Sequence, residues 1–88
     1  MEKFIQNKAI VQSKIGEEVV MLDMDSGFYF GLNSVASVIW GLLANVISFE
    51  ALIDQLMAQF EVERSLCEAD TKELLDQLLE KNIIRKVA

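Results

Sequence analysis

Apolar positions change their spacing once along this chain, near Leu32. Before that point they occur in short runs or alternate, as in strands, and after it they recur at helical intervals. Ala9-Ile10-Val11 is a short β-prone run ending in the turn Lys14-Ile15-Gly16-Glu17. Glu18-Val19-Val20-Met21-Leu22-Asp23 reads as a largely buried strand, and Asp25-Ser26-Gly27 as a tight turn with Gly27 suited to a positive φ. Phe28-Tyr29-Phe30-Gly31-Leu32 completes the hairpin. Strand alternation sends Phe28, Phe30 and Leu32 to one face, Tyr29 and Gly31 to the other.

Asn33 or Ser34 caps a first helix reaching about Ala44. It is apolar nearly all round through Val35, Val38, Ile39, Trp40, Leu42 and Leu43, which predicts a central position. Ser48 caps a second helix with Leu52, Ile53, Leu56, Met57 and Phe60 on one stripe. Ser65-Leu66-Cys67-Glu68 fits a capping box, so a third helix is expected from there to about Lys81. Its stripe is Cys67, Thr71, Leu74, Leu75, Leu78 and Leu79. Asn82 serves as a C-terminal cap, after which Ile83-Ile84 runs extended and packs back. The order βββααα predicts an α+β domain, a three-stranded antiparallel sheet followed by three helices.

If the middle strand pairs with both others, Phe28 to Leu32 lies at an edge. Edges are ordinarily blunted by lysine, proline or a covering element. The stretch Gly27 to Leu32 has three aromatics, two glycines and no charge. Either another part of the domain covers it or a partner does.

Composition narrows the possibilities. The 88 residues make one domain, 52% of them hydrophobic and none proline, so the chain folds compactly. No apolar run approaches the ~18 residues of a membrane span, and Met1-Glu2-Lys3-Phe4 lacks the features of a signal peptide. A cytoplasmic location is expected. Without histidine there is no Ser-His or Cys-His nucleophile pair and no imidazole metal ligand, and the single Cys67 excludes an internal disulfide. The net charge of −6 disfavours nucleic acid. No catalytic, cofactor or metal-binding residue is assigned.

Leu22-Asp23, then after three residues Gly27-Phe28-Tyr29-Phe30-Gly31-Leu32-Asn33, then Val35-Ala36 and Ile39-Trp40, resembles the PqqD-like family, named for the pyrroloquinoline-quinone biosynthesis protein D. Phe49-Glu50-Ala51-Leu52 to Phe60-Glu61-Val62 is similar to the family's second helix and its end, and Asp70-Thr71 with Leu74, Leu75 and Leu78 to its third. The likeness runs from Val19 to Ile84. It implies a winged helix-turn-helix that acts as a precursor-peptide recognition element (RRE) in RiPP biosynthesis. Members bind the leader of a ribosomally made peptide and deliver it to modifying enzymes. The leader would add as a strand beside the third strand and lie against the third helix. Free-standing members serve pyrroloquinoline quinone, lasso peptides and other radical-SAM products. The likeness points to lasso-peptide maturation beside a separate leader protease and cyclase, with a PqqD-type chaperone for a radical-SAM enzyme as the alternative.

The candidate peptide-binding residues are therefore Gly27, Phe28, Tyr29, Phe30, Gly31 and Leu32 on the strand, and Cys67, Asp70, Leu74, Gln77 and Leu78 on the helix. Each has a plainer reading. Phe30, Leu32, Leu75, Leu78 and Leu79 fit a core, as do Cys67 and Trp40. Leu74, at the stripe's margin, suits both core and groove. Asp70 is either a groove residue or a favourable charge in the first helical turn. A leader is expected to bring cationic or neutral residues to Asp70 and Glu73. DNA reading is disfavoured, since Glu68, Asp70, Glu73, Asp76 and Glu80 on the third helix face only Lys72 and Lys81. A homodimer through the same uncharged edge is the competing reading.

Overall fold

The computed structural model describes residues 2–7, 10–16, 18–24 and 27–87. Met1, Ala9, Glu17, Asp25 and Ser26, which the strand, turn and N-terminal expectations include, lie outside the described residues. The chain runs β1 (Lys3–Gln6), β2 (Ile10–Ile15), β3 (Glu18–Asp23), β4 (Phe28–Leu32) and α1 (Ser34–Leu42). It continues β5 (Ile47–Ser48), α2 (Phe49–Gln59), α3 (Arg64–Glu80) and β6 (Ile84–Val87). This is a mixed α+β fold. The expected strands and helices are β2 to β4 and α1 to α3, and a second sheet is added to them.

The meander has the order β2-β3-β4 and is antiparallel throughout. Its first strand runs past the expected turn, because β2 stays paired until Ile15 meets Glu18. Gly16, at φ +64°, and Gly27, at φ +70°, then supply the left-handed backbone that tight connections need. Met21 lies opposite Phe30 and Val19 opposite Leu32. Val19, Met21 and Leu32 are buried, which fixes this as the face toward the helices. α1 packs on β3 and β4.

Asn33 is the cap of α1, its Oδ1 accepting from the Ala36 N–H at 2.9 Å. The helix buries Ala36, Ile39 and Trp40 and ends at Leu42, short of Ala44. The Trp40 indole N–H, polar inside a core, donates to Gln12 Oε1. Ser48 caps α2 as expected, Oγ accepting from the Ala51 N–H at 3.1 Å, and Leu52, Ile53 and Leu56 are buried.

The capping box at Ser65 does not form. α3 starts at Arg64 with Glu63 as cap, and the Cys67 N–H already bonds the Glu63 carbonyl at 2.9 Å. Arg64 is held in that first turn by Asp54 of α2 at 3.2 Å and by Glu68 at 3.5 Å. Ser65 therefore lies inside the helix, and its hydroxyl donates to the Glu63 carboxylate at 2.6 Å. At the other end Asn82 takes φ 59°, its N–H bonding Leu79 O at 3.1 Å while the Ile83 N–H bonds Leu78 O at 2.9 Å. That pair of bonds is a Schellman closure, with Leu78 and Ile83 both buried beneath it.

The second sheet has the order β5-β1-β6, with β1 antiparallel to both neighbours. Ile83-Ile84 packs back as expected and leads into β6. The sheet's central strand, Lys3-Phe4-Ile5-Gln6, carries one buried residue, Phe4. It joins the two ends of the chain, and α3 packs on β6. Among the described residues no helix is long and apolar enough to cross a membrane.

Candidate functional site

β4 is the outer strand of its sheet, and no strand pairs with its far side among the described residues. Which of its backbone groups face outward follows from one hydroxyl. Ser37 Oγ accepts from the Val19 N–H at 3.0 Å and donates to the Leu32 carbonyl at 3.2 Å. Val19 and Leu32 are cross-strand partners, so this hydroxyl sits between two groups that turn toward each other across the last rung. Backbone direction alternates along a strand. The N–H and C=O of Leu32 and Phe30 thus turn toward β3, and those of Gly31 and Tyr29 turn outward. The Tyr29 side chain is 70% exposed, and a Cβ placed on Gly31 would meet nothing within 4 Å. The edge is open to an extended chain, whose main-chain groups could continue the ladder.

A cavity of about 590 Å³ begins where β4 ends. It runs from Asn33, Val35, Ala36 and Ile39 to the end of α2 and its exit at Phe60, Glu61 and Val62. Its other wall is α3, through Cys67, Asp70, Thr71, Glu73, Leu74 and Gln77. Leu56 contributes from α2. Strand and groove are contiguous because Asn33, which lines the groove, directly follows Leu32 and starts α1.

The structure brings four of the expected helix residues, Cys67, Asp70, Leu74 and Gln77, into one lining. Leu78 is not among them; it is fully buried. Cys67 is 7% exposed, with its sulfur 4.0 Å from Thr71 Oγ1, so it forms part of the wall as a small, mostly buried group. Leu74 is half-buried, as its marginal place on the stripe implied. Asp70 does not sit in the first turn: the helix begins at Arg64, which puts Asp70 in the second turn, beyond the reach of the terminal dipole. Gly27, Tyr29, Phe30, Gly31 and Leu32 do not line the cavity; their strand forms the edge beside it, with Leu32 buried and Phe30 half-buried toward the core.

Asn33, Val35, Phe60, Glu61 and Val62 also line the cavity, although nothing in the sequence marked them directly as peptide-binding. Val35 offered a sign. An all-round apolar helix must show some apolar side chain to something other than its own core, and Val35 stays 45% exposed at the groove mouth.

A small α+β domain whose meander ends in an uncovered strand, with an apolar groove between its first and third helices, has the form of a peptide-recognition module. The family model "Coenzyme PQQ synthesis protein D (PqqD)" matches residues 18–84, and the chain belongs to that family. The solved structure "TbiB1 in Complex with the TbiA(beta) Leader Peptide" is 34% identical, with a TM-score of 0.86 over 96% of this chain and 98% of that one. "Lasso peptide synthetase B1 complexed with the leader peptide" is 29% identical, with a TM-score of 0.81 over 93% of this chain and 96% of that one. Among curated proteins none matches.

Proposed function

We propose that this protein binds the leader segment of a ribosomally synthesised precursor peptide and presents it to a separate leader protease or modifying enzyme, in lasso-peptide maturation. The observation that carries this reading is the open, uncharged edge of β4 contiguous with the groove on α3. Strand addition there uses the outward N–H and C=O groups of Tyr29 and Gly31, while leader side chains on one face enter the groove. The two similar structures are of complexes with leader peptides, which supports the same ligand class here.

The protein acts as a carrier in the cytoplasm, without chemistry of its own. The chain contains no histidine, and its one cysteine is buried, so it offers no assembled nucleophile and base. What it supplies is local concentration and a fixed, extended leader, whose ordering cost is offset by backbone pairing and apolar anchors. A second copy of the chain is the alternative occupant of the β4 edge, and a bound leader would exclude it.

The test is processing in trans. A precursor whose leader this protein binds and the corresponding leader protease should react slowly together, and about tenfold or more faster once this protein is added. Equal rates with and without it, or a change in precursor mass caused by this protein alone, would overturn the carrier reading.

A further inference from the structure

The groove walls are apolar, with Val35, Ile39, Phe60 and Leu74 among them, yet three carboxylates line the same cavity. Glu61 comes from the segment between α2 and α3, and Asp70 and Glu73 come from α3, so they converge from two sides. All three are exposed, and none is ion-paired among the described residues. Among the described residues no lysine or arginine lines the cavity. The two cations within α3, Arg64 and Lys72, lie outside this lining. Arg64 bonds Asp54 and Glu68, and Lys72 lines a separate cavity together with Asp76.

An apolar-walled cleft bearing three uncompensated charges of one sign focuses its potential on whatever enters. We infer that the groove selects a leader segment in which a lysine or arginine shares a strand face with an apolar anchor, the apolar residue filling the cavity and the cation meeting Glu61, Asp70 and Glu73. Side chains on one face of a strand recur every second residue. The basic residue therefore lies about two or four positions from the anchor, not one or three. This inference rests on the leader-binding reading and specifies the class of leader.

The experiment is selection of a random peptide library, displayed on bacteriophage, against the full chain and against its Asp70→Lys/Glu73→Lys double variant. Both positions are solvent-exposed, so the variant should fold, which circular dichroism checks. The wild-type chain should enrich peptides with lysine or arginine at an even offset from a large apolar residue. The double variant should enrich aspartate or glutamate at that offset. A synthetic peptide from the first set should bind about tenfold more weakly to the double variant at low salt, a gap that narrows as salt rises. Apolar peptides enriched with no bias in charge would overturn this inference and leave leader binding standing. No enrichment by either protein would count against leader binding itself, and this inference would fall with it.

Discussion

Tyr29→Pro is expected to lower affinity for the leader about tenfold or more while leaving the domain folded. The Tyr29 N–H turns away from β3, by the alternation that the Ser37 bridge between Val19 and Leu32 sets. Proline on an edge strand with its nitrogen toward solvent removes no internal rung, so it is tolerated there. An incoming strand, however, loses a donor worth about 0.5–1.5 kcal/mol net and meets the pyrrolidine ring where its own backbone must approach. Tenfold corresponds to about 1.4 kcal/mol, within reach of those two losses together. Phe30→Pro is the matched control. Its N–H turns toward β3, so that variant should lose stability first. Fluorescence titration with a labelled leader, alongside thermal unfolding of both variants, separates the two effects. A Tyr29→Pro variant that binds normally would remove the β4 edge from the account.

Leu74→Ala and Leu78→Ala should divide binding from folding. The two leucines lie one turn apart on α3, but Leu78 is 0% exposed whereas Leu74 is half-buried and lines the groove. Truncating Leu78 leaves a cavity that its neighbours cannot fill, at a cost of about 2–5 kcal/mol. For a domain whose total stability is about 5–15 kcal/mol, that approaches or reaches unfolding. Leu74→Ala opens toward solvent, so its stability loss should be the smaller of the two, while the leader loses an apolar anchor. Denaturant midpoints with unchanged slope measure the first effect, and affinity per folded molecule measures the second. If Leu78→Ala weakened binding more than Leu74→Ala at equal folded fraction, the groove would be misplaced on the helix.

Much of this was legible in the sequence, and what was not has physical causes. The apolar run Val19 to Leu22 marks β3 and the alternation in Phe28 to Leu32 marks β4, because each pattern lies within a few residues. The caps Ser48 and Asn82 were legible for the same reason, since their partners Ala51 and Leu79 are close in sequence. The β5-β1-β6 sheet was not. Lys3-Phe4-Ile5-Gln6 has one buried residue and takes its partners from Ile47 and Ser48 and from Ile84 to Val87, far along the chain. Local pattern carries no record of such pairing. The start of α3 was misread because the Cys67 N–H bonds the Glu63 carbonyl and so begins the helix at Arg64, which leaves Ser65 inside the first turn and not at its cap. The α3 wall of the site followed from helical periodicity, but Glu61 and Val62 sit in a connection with no period at all. They reach the groove only because α2 and α3 pack against each other.

Amide NMR spectra of the protein titrated with its leader peptide would show directly whether the leader adds to β4 and lies along α3. Shifts concentrated at Gly27 to Leu32 and on the groove side of α3, at Asp70, Leu74 and Gln77, are the predicted result, with the outward amides of Tyr29 and Gly31 also gaining protection from hydrogen exchange. Shifts confined to α2 and the β5-β1-β6 sheet would contradict it.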